Sequence, residues 1–193
     1  MLKVKIILLG ESNVGKSSLI SQFTDKQKPY KYNSTIGVDV KRRRLSLKNQ
    51  KNLIVEVWDT AGQEKFRTFI AQYYRNADRA LVIYDISSNS SFDKIVEWFQ
   101  EIKKYSDLNQ KQILLVGNKS DLSEMREVSY DRAKELADRY GIEFREVSAT
   151  DHDDIVRLFE DSVESAALPD PVVTTKIIGE TNNQRGQRTC CFL

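Results

Sequence analysis

Cysteine is almost absent from this chain of 193 residues, which has only Cys190 and Cys191, two adjacent residues near its end. Because the body of the domain has no cysteine, it has no disulfide framework. The sequence therefore favours a protein of a reducing, cytosolic setting.

Long apolar runs and a charge imbalance are absent as well. No run reaches the roughly 18 residues of a membrane-spanning helix. The strand-like residues 1–5 predict that there is no secretory signal peptide. The 30 Lys and Arg residues balance 28 Asp and Glu residues, for a net charge of +2, which argues against bulk nucleic-acid binding. The length suits one α/β domain with a tail.

Residues 10–17, GESNVGKS, match G-x-x-x-x-G-K-[ST], the pattern of a phosphate-binding loop. A buried strand is predicted before it and a helix after it, and this context favours phosphate binding over an ordinary glycine turn. Backbone N–H groups would then surround the phosphates. Lys16 would reach the terminal phosphates, and the Ser17 hydroxyl would ligate Mg²⁺. The predicted nucleotide contacts of this loop are Ser12, Asn13, Val14, Gly15, Lys16, Ser17 and Ser18.

Strands and helices alternate along the rest of the chain. Apolar patterns predict strands at 3–9, 38–47, 53–58, 80–84, 113–117 and 142–147, and helices at 90–108, 130–140 and 153–167. This order predicts an α/β fold with a doubly wound, mostly parallel six-stranded sheet and helices on both faces. We expect a nucleotide-binding domain at 1–168 and a flexible tail at 169–193.

Several shorter features carry predictions of their own. The segments 24–37 and 59–65 are expected to be loops, 48–52 a hairpin turn and 66–74 a short helix. Gly141 is expected to end the helix 130–140, and Asp153 or Asp154 to be the N-cap of the helix 153–167. Trp98 is expected to pack beside the apolar stripe of its helix. His152 is expected to be solvated and is assigned no role.

The basic run 41–44, KRRR, is expected on the strand 38–47. A solvated edge that blocks pairing with other sheets is the favoured interpretation. A binding patch for a partner is the alternative.

Polar motifs follow two of the buried strands. After strand 53–58 comes DTAGQ, residues 59–63, where Asp59 would be the Mg²⁺ partner. The Gly62 N–H could meet a γ-phosphate, and Gln63 could orient the attacking water. A simple D-x-x-G turn is the alternative for this motif taken alone.

After strand 113–117 comes NKSD, residues 118–121. The Asp121 carboxylate could accept two hydrogen bonds from guanine, and adenine cannot supply them. Asn118 would tie this segment to the phosphate loop, and the Lys119 stem would cover the base. Ser148-Ala149-Thr150 follows the last strand, and the Ala149 N–H could bond the guanine carbonyl.

With these motifs in order, the sequence resembles the Ras superfamily of small GTPases and, within it, the Rab family. The segments that carry the resemblance are GESNVGKSS, STIGVD, WDTAGQEKFRT, YYRNADRALVIYDI, GNKSD and the terminal Cys-Cys, and the match covers residues 3–167 and the tail. The resemblance implies a P-loop small G domain and a GTP/GDP switch that needs Mg²⁺, hydrolyses GTP slowly and recruits effectors. Thr35 matches the switch threonine that ligates Mg²⁺, and Tyr32 matches the tyrosine that closes over the phosphates.

The resemblance also implies partners and a location. We expect an exchange factor, a GTPase-activating protein, effectors, a prenylation escort and a GDP-dissociation inhibitor, but no nucleic acid. The chain would be a monomer on the cytoplasmic face of an intracellular membrane, cycling with the cytosol. Cys190 and Cys191 would carry the lipid, as a C-a-a-X ending with one prenyl group or as a double-cysteine ending with two.

The sequence departs from the family at several positions. Lys28 stands where an aromatic residue usually stacks on guanine, and Tyr30 is a candidate substitute. Val40 replaces the phenylalanine of an aromatic surface whose other members match Trp58 and Tyr73. Thr150 replaces a lysine, whereas Ser12 is ordinary in Rabs. Two other functions remain open: a GTP-binding adaptor without hydrolysis, which Gln63 disfavours, and a P-loop kinase or ATPase, which Asn118–Asp121 disfavours.

Overall fold

The computed structural model describes residues 2–25, 38–46, 52–60 and 73–167. Its strands are β1 (Leu2–Leu9), β2 (Val38–Ser46), β3 (Asn52–Thr60), β4 (Arg79–Asp85), β5 (Ile113–Asn118) and β6 (Glu143–Glu146). Its helices are α1 (Lys16–Asp25), α2 (Asn89–Asp93), α3 (Ile95–Tyr105), α4 (Tyr130–Tyr140) and α5 (His152–Ala167). Short 3₁₀ segments cover Gln110–Gln112 and Ser120–Met125.

The six strands form one sheet in the order β2-β3-β1-β4-β5-β6. Every neighbouring pair is parallel except β2 with β3, whose register places Val40 opposite Trp58. Parallel strands need a crossover connection. Among the described residues, α1 follows β1, α2 and α3 lie between β4 and β5, and α4 lies between β5 and β6. The predicted mixed, mostly parallel sheet is therefore confirmed.

Helices cover both faces of the sheet, and each face has its own apolar core. On one face α1 and α5 pack together, with the Phe23 and Phe159 rings stacked 4.2 Å apart. On the other face α2, α3 and α4 pack on β4 and β5, and Trp98 is fully buried among them. The expectation that Trp98 packs in the core is confirmed.

The predicted helix at 90–108 is instead two helices that meet at Lys94, and the second ends at Tyr105. The Ser88 hydroxyl accepts a hydrogen bond from the Ser91 N–H and caps the first helix. Apolar spacing could not reveal this break, because Phe92 and Ile95 are buried on both sides of it.

Of the two predicted helix ends, one is confirmed and the other is wrong. Gly141 has a φ of 65° and ends α4, as predicted. The predicted N-cap of α5 was wrong: Asp151 Oδ1 accepts from the Asp154 N–H at 3.1 Å, because α5 begins earlier, at His152. His152 is half-buried, and its Nδ1 donates to the Gln22 carbonyl at 3.1 Å, so the expectation of a solvated histidine was also wrong.

Three smaller predictions lie wholly or mostly outside the described residues: the loop 24–37, the turn 48–52 and the helix 66–74. Where they reach described residues, the first two were wrong, because Thr24 and Asp25 belong to α1 and Asn52 begins β3. The prediction that 59–65 is a loop was wrong for its first two residues. Asp59 and Thr60 belong to β3, because they pair with Asp39 and Val38 of β2. None of the helices among the described residues is long and apolar enough to span a membrane.

Candidate functional site

The polar motifs converge at one edge of the sheet. Strands β1, β3, β4 and β5 are parallel neighbours, so their carboxyl ends lie side by side. The loop 10–15 follows β1, Asp59 is near the end of β3, and Asn118 ends β5. Ligands of doubly wound sheets bind in the crevice at this edge.

The loop after β1 has backbone conformations that residues with a side chain rarely adopt. Gly15 has a φ of 96°, and a Cβ atom there would lie 2.3 Å from Asn118 Nδ2. Asn13, at φ 65°, is left-handed as well. Ser12 and Asn13 are exposed at the tip of the loop, whereas Val14 is buried in the core. The loop therefore turns sharply into α1, whose first N–H groups have no helical partner.

Lys16 is the first residue of α1 and is buried. Its Nζ donates to the carbonyl oxygens of Gly10 and Glu11, both at 2.8 Å. Burial lowers the pKa of Lys16 to about 8, against the opposing pull of Asp59 and Glu11. A buried ammonium held inside the loop, at a helix N-terminus, suits the binding of an anionic phosphate.

The first turn of α1 meets β3 through a short contact. Ser17 Oγ donates to Asp59 Oδ2 at 2.5 Å, although the residues are 42 positions apart. A hydroxyl oxygen beside a carboxylate oxygen is a hard donor pair of the kind that Mg²⁺ prefers, so these residues fit the ion. Among the described residues no three His, Cys, Asp or Glu side chains form a separate metal cluster.

Asn118 joins three segments of the site. Its Nδ2 donates to the Val14 carbonyl at 2.7 Å, and its Oδ1 accepts from the Ala149 N–H at 3.3 Å. The side chain is 1% exposed, so both bonds are sheltered from water. The sequence predicted the first of these bonds. The second shows that the Ala149 N–H, expected to meet guanine, bonds Asn118 here.

Asp121 and the segment 148–150 also meet. The Ser148 hydroxyl donates to the Asp121 carboxylate, and it lies 2.7 Å from Thr150 Oγ1. The Thr150 N–H donates to Ser148 Oγ at 3.1 Å. Asp121 is exposed, so its carboxylate, oriented by Ser148, remains open to a ligand. This arrangement suits a carboxylate that accepts hydrogen bonds from the edge of a base.

Lys119 has a partner that sequence reasoning missed. Its Nζ donates to Asp85 Oδ2 at 2.6 Å, and the backbone at Lys119 is left-handed, with a φ of 66°. Burial acts to raise the pKa of Asp85, but hydrogen bonds from Lys119 and Ser87 outweigh it and lower the pKa. Asp85 comes directly after the predicted strand 80–84, and this acidic residue at the ligand edge was the signal that could have found it.

Most of the remaining predicted site residues lie outside the described part of the chain. They are Tyr32, Thr35, Gly62, Gln63, Cys190 and Cys191. The described ones comprise the loop 12–18, Asp59, the segment 118–121 and the segment 148–150, and the strand ends bring them together. Ser18, in the first turn of α1, is buried.

This fold and this site define a P-loop nucleotide-binding domain. The model of the Ras family matches residues 5–167. Ras-related protein RIC1 of Oryza sativa subsp. japonica is 45% identical over 155 residues, which are 80% of this chain and 76% of that protein. Ras-related protein RABD2a of Arabidopsis thaliana is 44% identical, and GTP-binding protein ypt1 of Schizosaccharomyces pombe is 43% identical, each over 80% of this chain and 75% of the relative.

The chain belongs to the Ras family. Its relatives make it a Rab-like small GTPase of vesicle trafficking, which binds GTP and GDP and hydrolyses GTP. The resemblance that the sequence motifs indicated is thus confirmed, and so is the predicted hydrolase class.

Proposed function

We propose that one guanine nucleotide lies across the strand ends, with its phosphates on residues 10–17 and its base against the segments 118–121 and 148–150. The observation that carries this proposal is the 2.7 Å bond from Asn118 Nδ2 to the Val14 carbonyl. It links two loops 104 residues apart into one site. Displacement of fluorescent GDP should succeed with GTP and GDP and fail with ATP. Equal competition by ATP would reject the base assignment.

Hydrolysis in this proposal depends on Gln63, which orients a water molecule against the γ-phosphorus. The water oxygen bonds to phosphorus, the bond to the β,γ-bridging oxygen breaks, and phosphate and GDP leave. The Lys16 ammonium offsets the charge that develops there. Intrinsic turnover is slow, and a GTPase-activating protein accelerates it.

The test of this role is Gln63→Leu, with Gln100→Leu on the exposed side of α3 as the matched control. The Gln63 variant should bind GTP normally and lose stimulated hydrolysis, because leucine offers no polar group to the water. Single-turnover phosphate release measures it. Unchanged turnover in Gln63→Leu would reject the role of Gln63.

Mg²⁺ belongs to the same proposal, with Ser17, Asp59 and Thr35 as the residues that would hold it. The ion would neutralise charge on the β- and γ-phosphate oxygens. The support is the pairing of Ser17 Oγ with Asp59 Oδ2. Ser17→Asn should weaken Mg²⁺ binding and favour the GDP form, as titration of each nucleotide with and without a chelator would measure. Equal GTP and GDP affinities with intact Mg²⁺ dependence would contradict it.

We further propose that residues 1–168 act as the switch domain and that residues 169–193 form a flexible tail with lipid on Cys190 and Cys191. Two prenyl groups would hold the chain stably on the cytoplasmic face of an intracellular membrane, whereas one holds it only marginally. The regulators proposed are an exchange factor, an activating protein, effectors, a prenylation escort and a GDP-dissociation inhibitor, each acting on a monomer. Intact-mass analysis of the native protein should find both thiols modified, and two unmodified thiols would overturn this proposal.

A further inference from the structure

A cavity of about 620 Å³ lies on the face of the sheet that carries α3 and α4, and we call it the α3–α4 cavity. Its volume falls within the range of about 300–1,000 Å³ that is usual for small-molecule sites. It opens where β5 begins, whereas the nucleotide site is proposed where β5 ends, so the two sites are separate. Its apolar lining residues are Phe99, Ile102, Leu108, Ile113, Tyr140 and Ile142.

The cavity forms because α3 and α4 both end at this edge of the sheet, which we call the amino edge. α3 ends at Tyr105, and the Ser106 N–H donates to the Ile102 carbonyl at 2.9 Å before the chain continues in an extended conformation. α4 ends at Gly141, whose left-handed backbone turns the chain toward β6. Each helix precedes a strand of the parallel part of the sheet, so the last turns of both lie beside the starts of β5 and β6. The cavity is the space between these last turns.

Apolar surface inside the cavity stays in contact with water. Phe99, Ile113 and Ile142 have 7%, 9% and 8% of their surface exposed, and Leu108 and Tyr140 are half-buried. A ligand that covers this surface removes it from water, which is favourable when the ligand is apolar too.

The charged side chains at the rim of the cavity give no preference for an ion. Lys103 and Asp107 are both exposed and opposite in sign. The other polar side chains of the lining are uncharged. The lining therefore favours a neutral hydrocarbon over a phosphate, a carboxylate or an ammonium group.

The last described helix ends at the edge of the sheet where the cavity opens. α5 begins at the carboxyl ends of the strands and runs back toward the amino edge, where Ser162 shares a small pocket with Arg79 and Glu143, the first residues of β4 and β6. α5 also packs against the 3₁₀ segment Gln110–Gln112, whose first residue lines the cavity. Residues 168–193 follow α5 and therefore start at the same edge.

We infer that the α3–α4 cavity binds a prenyl group carried by Cys190 or Cys191 of the same chain. This inference rests on the lipidation proposed above. Fully extended, residues 168–190 span up to about 80 Å, and as a flexible coil they average about 25–30 Å, so they are long enough to return the lipid to the amino edge. A tether of this size holds the lipid at an effective concentration on the order of 1 mM, at which even weak binding suffices.

Docking of this kind would place one prenyl group on the protein while the chain is away from a membrane. A bilayer surrounds a prenyl chain on all sides, whereas the cavity opens to solvent, so a membrane should remove the lipid from the cavity. A second copy of the chain and a partner protein are the competing occupants. Position and tether favour the chain's own lipid, because an attached ligand binds at any protein concentration.

The test attaches a prenyl analogue with an environment-sensitive fluorophore to the full-length protein. Cys190 and Cys191 are the only cysteines of the chain, so thiol coupling to the Cys191→Ser variant places one lipid on each molecule. With an intrinsic dissociation constant of about 0.1 mM, the lipid would be docked about ten times as often as free. In buffer without detergent, iodide should then quench the fluorophore about tenfold less than it quenches the same label on a peptide of residues 168–193.

Two variants of the cavity should remove this protection. Leu108→Asp places a carboxylate in the apolar lining, and Gln110→Trp, at an exposed residue, fills the cavity from its rim. Each should raise iodide quenching about tenfold, to the level of the free peptide. Leu136→Asp, at a half-buried leucine of α4 outside the lining, is the matched control and should leave the protection in place. Native nucleotide affinity shows that each variant is folded, and if Leu108→Asp does not fold, Gln110→Trp decides the result.

Equal quenching in the Gln110→Trp variant and in the chain with the native cavity would overturn the inference. Protection that falls on dilution would contradict it as well, because a second copy would then hold the lipid. Protection that arises only after a cell extract is added would assign the lipid to a partner protein and reject docking in the same chain. Chemical coupling does not depend on the cell, so the quenching result is separate from the intact-mass experiment, which alone decides the proposed lipidation.

Discussion

The proposed phosphate side and the proposed base side of the site are built in different ways. On the phosphate side, the residues 10–15 act through backbone shape, with a φ of 96° at Gly15 and carbonyl oxygens that hold Lys16. On the base side, side chains hold one another, as Ser148 holds Asp121 and Asp85 holds Lys119. One half of the site depends on how the chain bends, and the other on which functional groups it carries.

This difference determines how each half should respond to substitution. A backbone-built cradle fails when a side chain is forced into it, whereas most side chains of the loop can change at little cost. A side-chain-built site fails group by group, by an amount set by the number and charge of the hydrogen bonds removed. Four substitutions separate these expectations.

Gly15→Ala should have the largest effect. The added Cβ would lie 2.3 Å from Asn118 Nδ2, at a φ that alanine rarely adopts, so it strains the loop and displaces the bond to Val14. Together these losses amount to about 4 kcal/mol, or roughly a thousandfold in GDP affinity. Isothermal titration of nucleotide-free protein measures the change.

The control for that experiment is Gly141→Ala, which also has a positive φ, of 65°, but lies after α4 and away from the site. It should lower the free energy of unfolding by about 1 kcal/mol and leave GDP affinity unchanged. A Gly15→Ala variant with near-native affinity would show that backbone shape does not govern the phosphate side.

Asp121→Asn should weaken GTP binding by about a hundredfold without affecting the fold, because Asp121 is exposed. The side-chain amide of this variant would place an NH₂ donor opposite the guanine amine, which is also a donor, so no hydrogen bond can form there. Xanthine has a carbonyl at that ring carbon, so the variant should prefer xanthosine nucleotides. Competition binding measures this preference, with Glu124→Gln in the same 3₁₀ segment as the control. A variant that still prefers GTP would refute the assignment of Asp121.

Asp85→Asn should weaken nucleotide binding by up to about tenfold, because Lys119 loses the carboxylate that positions it. It should also lower the free energy of unfolding at neutral pH by about 1–2 kcal/mol. Folding lowers the pKa of Asp85, so its carboxylate stabilises the fold above the unfolded-state pKa, and this benefit is lost as the pH falls. Urea unfolding should therefore show native and variant proteins converging in acid, and a constant difference would contradict the ion-pair account.

Ser148→Ala should have the smallest effect, a loss of about three- to tenfold in GTP affinity, since one hydrogen bond to Asp121 disappears. Ser123→Ala, an exposed serine in the neighbouring 3₁₀ segment, is the matched control and should bind GTP normally. Fluorescent-nucleotide dissociation rates resolve a change of this size. If Ser148→Ala equals Asp121→Asn in effect, the base side acts as a unit and not group by group.

Sequence patterns predicted the sheet and most of the helices, because strand and helix periodicities follow directly from burial on one or both faces. They could not predict the break at Lys94, since residues on both sides of it keep the same buried stripe. They also misplaced the cap of α5. Asp151, Asp153 and Asp154 are equivalent in composition, and only the path of the chain selects one of them.

In the site, the motifs predicted residues at fixed spacing within one short segment, such as Lys16 and Ser17. The proximity of Ser17 to Asp59 could be expected because both residues were predicted to bind the same Mg²⁺ ion. The pairing of Lys119 with Asp85 was missed because it depends on β4 and β5 being neighbours and on the left-handed backbone at Lys119. A partner that belongs to no motif, such as Asp85, emerges only when the order of the strands is known.

The two hydrogen bonds of the Asn118 side chain have a consequence for the kinetics of ligand release. One buried amide is bonded at the same time to the loop after β1 and to the segment after β6, so neither can move away while the other stays in place without breaking a sheltered hydrogen bond. Opening at the phosphates and opening at the base are thereby mechanically coupled. A regulatory protein that displaces one end of the crevice would also weaken the contacts at the other end. The bound molecule would then dissociate in a single concerted step.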